Sequence, residues 1–269
     1  MFKKYPYLGW LFVAILLWVA AIARFYMLRQ MATPKAMTAL VSKDFQKRQK
    51  ALDAFLANET LIHKIFNDSL TSEEADALSK EPFYIYAFRN GYLLQFWNNN
   101  TVVGTCNENF PGDKGNGLYR YNGTFYKQCL HPAFLDADEH LVVLFPLRYK
   151  YAVQNKYLQS SFLAADYIPL STYSSYEKGT NSYPVLTINN KVLFYLNFIK
   201  DDLPGYIADS WLGSLFLAAL LFSLLWLHLM AVALSRTHGP LWGIGILLAA
   251  TDNIITVGYT YGSPFYFNE

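Results

Sequence analysis

Two long uncharged stretches, Tyr5 to Ala23 and Ser210 to Ser235, bracket a segment that carries most of the charge, both cysteines and most of the tyrosines. The hydrocarbon core of a bilayer is about 30 Å thick, and about 20 apolar residues rising about 1.5 Å each cross it as a helix. Both stretches reach or approach that length, so the layout is that of a folded domain held outside a membrane by a helix at either end. A third apolar run, Gly239 to Thr251, follows a short polar turn at Arg236 to His238. The expected division is residues 1–32 for a cytoplasmic tip and first transmembrane helix and 33–206 for an exported domain. Residues 207–235 then form a second transmembrane helix, and 236–269 a short cytoplasmic turn and a third helix that opens an incomplete bundle. For a receptor, this is an input half without its output.

The short flanks set the orientation. Lys3 and Lys4 precede the first span and Arg236 follows the second, while Asp201, Asp202 and Asp209 lead into the second. The positive-inside rule places the N-terminus and the 236–238 turn in the cytoplasm, with Arg24 and Arg29 as the opposing signal. Ala21-Ile22-Ala23 also fits a small-x-small cleavage site after a basic and then apolar stretch, the alternative in which the first span is a signal peptide. In both cases residues 33–206 are delivered to the outside, which in a bacterium is the periplasmic face of the inner membrane. A net charge of +2 carries no message about nucleic acid.

Cys106 and Cys129 are the only cysteines, and both fall in the exported segment. An oxidising compartment makes a disulfide between them the natural reading, with two unrelated buried thiols as the alternative. In the chain-entropy model such a bridge stabilises by about 3 kcal/mol. Asn-x-Ser/Thr occurs at Asn58, Asn67, Asn99 and Asn122, which read as glycosylation sites only in a eukaryotic secretory protein.

Within the exported segment, Met37, Leu40, Val41, Phe45, Leu52, Phe55 and Leu56 recur at helical spacing, and residues 33–81 read as helix continuing from the first span. Thr71-Ser72-Glu73-Glu74 places a capping residue before acidic first-turn positions and starts a second, short helix ending near Lys80. From Phe83 the pattern changes to strands. Phe83 to Phe88 and Tyr92 to Trp97 flank Arg89-Asn90-Gly91, a strong hairpin signal. Further strands fit 117–121 returning through Asn122-Gly123 to 124–129, then 139–151, and 184–188 returning through Asn189-Asn190 to 191–199. Helices followed by an antiparallel meander give an α+β domain of PAS-like or Cache-like order, with transmembrane helices on either side.

Between Phe83 and Phe162 the chain carries Trp97 to Asn100, the hairpin Asn122-Gly123-Thr124-Phe125-Tyr126, and Pro146-Leu147-Arg148-Tyr149-Lys150-Tyr151 running on to Asn155-Lys156-Tyr157-Leu158 and Phe162. In this order the pieces resemble the exported input regions of membrane sensor histidine kinases from Bacteroidota. The resemblance implies a two-component receptor that works as a homodimer and reaches a response regulator through a cytoplasmic kinase. None of His63, His131, His140, His228 or His238 lies in a segment resembling a phosphoacceptor box, so the catalytic half is not in this chain.

The candidate ligand contacts are Trp97, Tyr121, Tyr126, Arg148 and Tyr151. Alternation puts Arg148 and Lys150 on one face of a strand and Tyr149 and Tyr151 on the other. One reading is a core face and a solvated cationic face. The other is that Arg148, with the hydroxyls of Tyr121, Tyr126 and Tyr151 nearby, holds a carboxylate-bearing small molecule through its guanidinium fork. Trp97 with Tyr84, Tyr86 and Phe88 could wall an apolar pocket or simply be core. Asp136-Ala137-Asp138-Glu139-His140 lacks EF-hand spacing and reads as a solvated turn rather than a metal site. Gly112 to Gly117 lacks phosphate-loop spacing, and Asp252 stands out as a carboxylate in or at the end of the third span. No catalytic constellation or cofactor motif is present. The expected partners are the bilayer, a second copy, and an unidentified small-molecule or envelope-protein signal. A membrane-anchored envelope binding or assembly protein without signalling output is the alternative.

Overall fold

The computed structural model describes residues 6–100, 116–120, 123–151, 153–246 and 248–249. The chain divides into two compact units, Met31–Gly205 and a second made from both ends, Met1–Gln30 with Tyr206–Glu269. Cys106, Tyr121, Asp252 and most of the 107–116 loop lie outside the described residues.

The first helix, α1 (Pro6–Met31), does not run on into the next, contrary to the sequence expectation. Thr33 is extended and accepts a hydrogen bond from Ala36 N, and Pro34 occupies the first turn of α2 (Pro34–Leu56). Proline has no N–H to give an upstream carbonyl, so a new helix starts there. The stretch read as helix to residue 81 is also interrupted. Asn58 caps α3 (Glu59–Phe66), and Thr71 caps α4 (Ser72–Ser79) in a reciprocal capping box with Glu74.

The strands follow as β1 (Tyr84–Arg89), β2 (Leu93–Trp97), β3 (Gly117–Tyr119), β4 (Gly123–Leu130), β5 (Glu139–Tyr149), β6 (Ser161–Phe162), β7 (Tyr173–Ser175), β8 (Ser182–Leu186) and β9 (Val192–Asn197). The Asn90-Gly91 hairpin forms as expected, with φ of 54° and 77° at its two residues. The meander does not form. One sheet runs β2-β1-β5-β4-β3 with β6 added beside β5, and a second, separate sheet runs β7-β9-β8. Strand β5 is inserted between β1 and β4 because its nine residues Glu139 to Leu147 are all buried, which requires neighbours on both edges and cover on both faces.

One face of the first sheet packs on α2. Phe45 touches Tyr126 edge-on and lies against Phe145, and Phe55 meets Phe83. The apolar stripe of α2, Met37, Val41, Phe45, Leu52 and Phe55, is thereby used inside the domain and gives no separate argument for dimerisation. The opposite face gathers Tyr86, Phe88, Phe125, Val142 and Leu144, so the tyrosine and phenylalanine stripe is core. Polar groups of α2 reach the second sheet: Gln46 donates to the carbonyls of Leu186 and Thr187, and Ser42 Oγ accepts from Leu186 N.

In the other unit, α1 and the last long helix, α5 (Ser210–His238), are each long and apolar enough to span a membrane. They run antiparallel to each other. Arg24 pairs with Asp209 at 2.6 Å, Trp18 Nε1 donates to Ser223 Oγ, and Trp10 lies against Phe222. Asp209 thus answers the Arg24 charge on the far side of the first span. Gly239, at φ 95°, ends α5, and residues 240–246 turn helical again.

Candidate functional site

Pro146 decides how Arg148 is presented. A proline in a central strand gives the ladder no donor and is accommodated at a bulge. Here Phe125 faces Pro146 while the preceding Thr124 faces Arg148, which leaves Leu147 as the extra residue on β5. A bulge bends its strand and re-aims the side chains beyond it. Leu147 O is taken by Leu163 N, just past β6, and Arg148 then stands opposite Phe162 with its guanidinium 5.5 Å from the ring centre.

Beyond the bulge lies a cavity of about 460 Å³ between the ends of β4 and β5, the 170–172 turn and β7, with Val41 of α2 and Leu196 of β9 at its apolar side. Arg120, Arg148 and Lys150 supply three cations to its lining, and no Asp or Glu lines it among the described residues. Arg148 Nη1 donates to Thr172 O at 3.2 Å, and Arg120 donates to Ser174 O. Burial pushes the Arg148 pKa below its ordinary value, the direction expected for a cation drawn out of water. Thr172 and Ser174 are 1% and 5% exposed. Among the described residues, Arg148 Nε, Ser171 Oγ, Thr172 Oγ1 and Ser174 Oγ are buried without a hydrogen-bond partner. Arg148, Thr172 and Ser174 line the cavity and Ser171 adjoins Thr172 in sequence, so three of the four unpartnered atoms belong to lining residues.

Gly123 borders the same space. A Cβ there would stand 2.5 Å from Arg148 O and 3.1 Å from the Phe125 ring, so glycine lets β4 start flush against the bulge.

Of the described residues expected at a ligand site, Arg148 lines this cavity and Trp97, Tyr126 and Tyr151 do not; Lys150, just past the end of β5, also lines it. Tyr126 lies at the junction of the two sheets, stacked on Phe194 and edge-on to Phe45, with its hydroxyl pKa pushed up to about 12 chiefly by burial. Tyr151 packs its ring on Tyr149, whose hydroxyl is bonded to that of Tyr84. Trp97 is 49% exposed at the end of edge strand β2 and donates to Asn100 Oδ1. Tyr121 lies outside the described residues.

Arg120, Thr172 and Ser174 are not predicted from the sequence. The available signal is the hydroxyl-rich run Ser171-Thr172-Tyr173-Ser174-Ser175 after Pro169.

The Asp136 to His140 segment is a structural corner. Glu139 pairs with Arg89 at 2.6 Å, and His140 stacks between Phe88 and His131. Among the described residues no group of three His, Cys, Asp or Glu side chains is arranged to hold a metal.

Comparison with protein-family models, with curated proteins and with solved structures returns no match.

Proposed function

We propose that this chain is the extracytoplasmic input module of a membrane receptor, with residues 33–206 as a PAS-like or Cache-like periplasmic domain at a bacterial inner membrane. The observation that carries the reading is the placement in sequence of an α+β unit, Met31–Gly205, between two helices long and apolar enough to span a membrane. The strand order β2-β1-β5-β4-β3 with helices ahead of the sheet supports the PAS-like assignment. A cavity carrying buried, unpartnered donors supports a sensing role over a purely adhesive one. The output in this reading is a histidine kinase acting on a response regulator, and the working unit is a homodimer. Cys106 and Cys129 form a disulfide in this compartment, which peptide mapping under non-reducing conditions tests.

Reading the open reading frame past Glu269 tests the reading as a whole. A helical segment with a phosphoacceptor histidine followed by an ATP-binding domain is the expected result. A frame that ends there, or continues as membrane spans alone, replaces it with the membrane-anchored binding or assembly protein.

A further inference from the structure

We propose that the cavity bounded by Arg148, Thr172 and Ser174 binds a small monocarboxylate with an apolar body; this deepens the sensor reading and rests on it for its physiological meaning. The charge comes first. None of Arg120, Arg148 and Lys150 is ion-paired to an acidic side chain among the described residues, and the lining adds no carboxylate. The set therefore favours an anion. Arg120 and Lys150 are exposed and meet water, whereas the Arg148 guanidinium is drawn inward, so one buried positive charge is available and a monoanion balances it.

Donor geometry narrows the choice. Arg148 is anchored through Nη1 to Thr172 O and laid over Phe162, which leaves its buried Nε–H without an acceptor. The hydroxyls of Thr172 and Ser174, both residues of the cavity lining and more than nine-tenths buried, are likewise without a partner inside the protein. A buried donor without a partner costs about 1–3 kcal/mol, and a carboxylate offers two oxygens with about four acceptor positions between them. Charge-assisted bonds from a guanidinium to a carboxylate are among the strongest available. The remaining wall, Val41, Leu147, Leu170 and Leu196, is apolar, and a bare inorganic anion would leave it wet. An organic acid fills both halves. The cavity volume of about 460 Å³ falls within the range of about 300–1,000 Å³ common for small-molecule sites.

The test is calorimetric titration of the full chain in nanodiscs with hexanoate and phenylacetate, against their neutral amides and against sulfate. Both acids are expected to bind, with the amides at least about tenfold weaker through the loss of one charge-assisted contact, and sulfate at least about tenfold weaker because it leaves the apolar wall unfilled. Arg148→Gln should weaken the acids by about 10- to 100-fold on the same basis. Because Arg148 also holds the 170–172 turn, Thr172→Val provides a second readout: severalfold weaker binding with an unchanged or raised melting temperature. Leu170→Trp, which adds bulk to the apolar part of the lining, should abolish binding of both acids. Equal binding of acid and amide overturns the proposal. So does sulfate binding as tightly as the acids, no binding of either acid to the folded chain at millimolar concentration, or binding unchanged in Arg148→Gln and Thr172→Val. These outcomes leave the receptor reading to the reading-frame test, and a frame without a kinase leaves a carboxylate site intact.

Discussion

In the six-stranded sheet, polar side chains carried inward are met by partners. Asn98 accepts from Ile85 N and donates to the carbonyls of Leu78 and Phe83, and Glu139 is held by Arg89. In the three-stranded sheet and the turn leading into it, Ser171, Thr172, Ser174 and Asn197 each bury a polar atom without a partner, and Arg148 joins them from the end of β5 in the first sheet. His140 Nε2, on the same strand as Arg148, is a second unpartnered atom in the larger sheet among the described residues. A fold keeps few such atoms because each is costly, and three of them, on Arg148, Thr172 and Ser174, belong to residues lining the cavity where a carboxylate is proposed to bind. The larger sheet carries most of the core, and both sheets contribute residues to the cavity lining.

The largest break comes at the shared core. Phe45, 1% exposed, packs on both Tyr126 and Phe145, and Phe45→Ala should cost about 3–5 kcal/mol, read as a drop in chemical-denaturation midpoint for the whole domain. If only one sheet loosens, the two do not share that core energetically. Gly123→Val forces the start of β4 away from Arg148 O and should cost about 1–3 kcal/mol, with hydrogen exchange rising at the bulge and cavity before it rises at β1.

A smaller effect is expected from His140, whose pKa is lowered by burial first and then by His131 and Lys127. The unfolded chain takes up this proton near a pH of about 6.5, the folded chain only lower. Between those values the unfolded state holds more protons, so stability is full above about pH 6.5 and declines as pH falls toward the folded-state value. Melting temperature measured from pH 7 to pH 5 should fall, and His140→Phe, which preserves the stacking on Phe88, should flatten that decline. An unaltered slope in the variant assigns the acid sensitivity elsewhere. The smallest change in stability is expected for Thr172→Val: removing an unpartnered hydroxyl leaves the melting temperature level or slightly higher. A clear loss would show that the hydroxyl is bonded in solution.

Local chemistry explains what was legible in advance. The Asn90-Gly91 hairpin, the Thr71–Glu74 capping box and the two membrane-length helices each depend on residues close in sequence. The helix break at Thr33-Pro34 was equally local, and its signal was overridden by the apolar spacing on either side. Arg148 was legible through its strand pattern, whereas its companions were not. Arg120, Thr172 and Ser174 come from separate segments, and no spacing rule relates them.

The sequence by itself determined the order of apolar spans and mixed domain, the antiparallel strands with their turns, and the basic residue at Arg148, because periodicity, turn chemistry and hydropathy act over a few neighbouring residues. Tertiary structure alone decided that β5 enters between β1 and β4, that a second sheet closes separately, and that the tyrosine stripe becomes core. It also decided that Arg148, just past the Pro146 bulge, reaches the Thr172 carbonyl and lies over Phe162 at the cavity. Those outcomes depend on which distant surfaces bury each other, and burial is a property of the assembled chain.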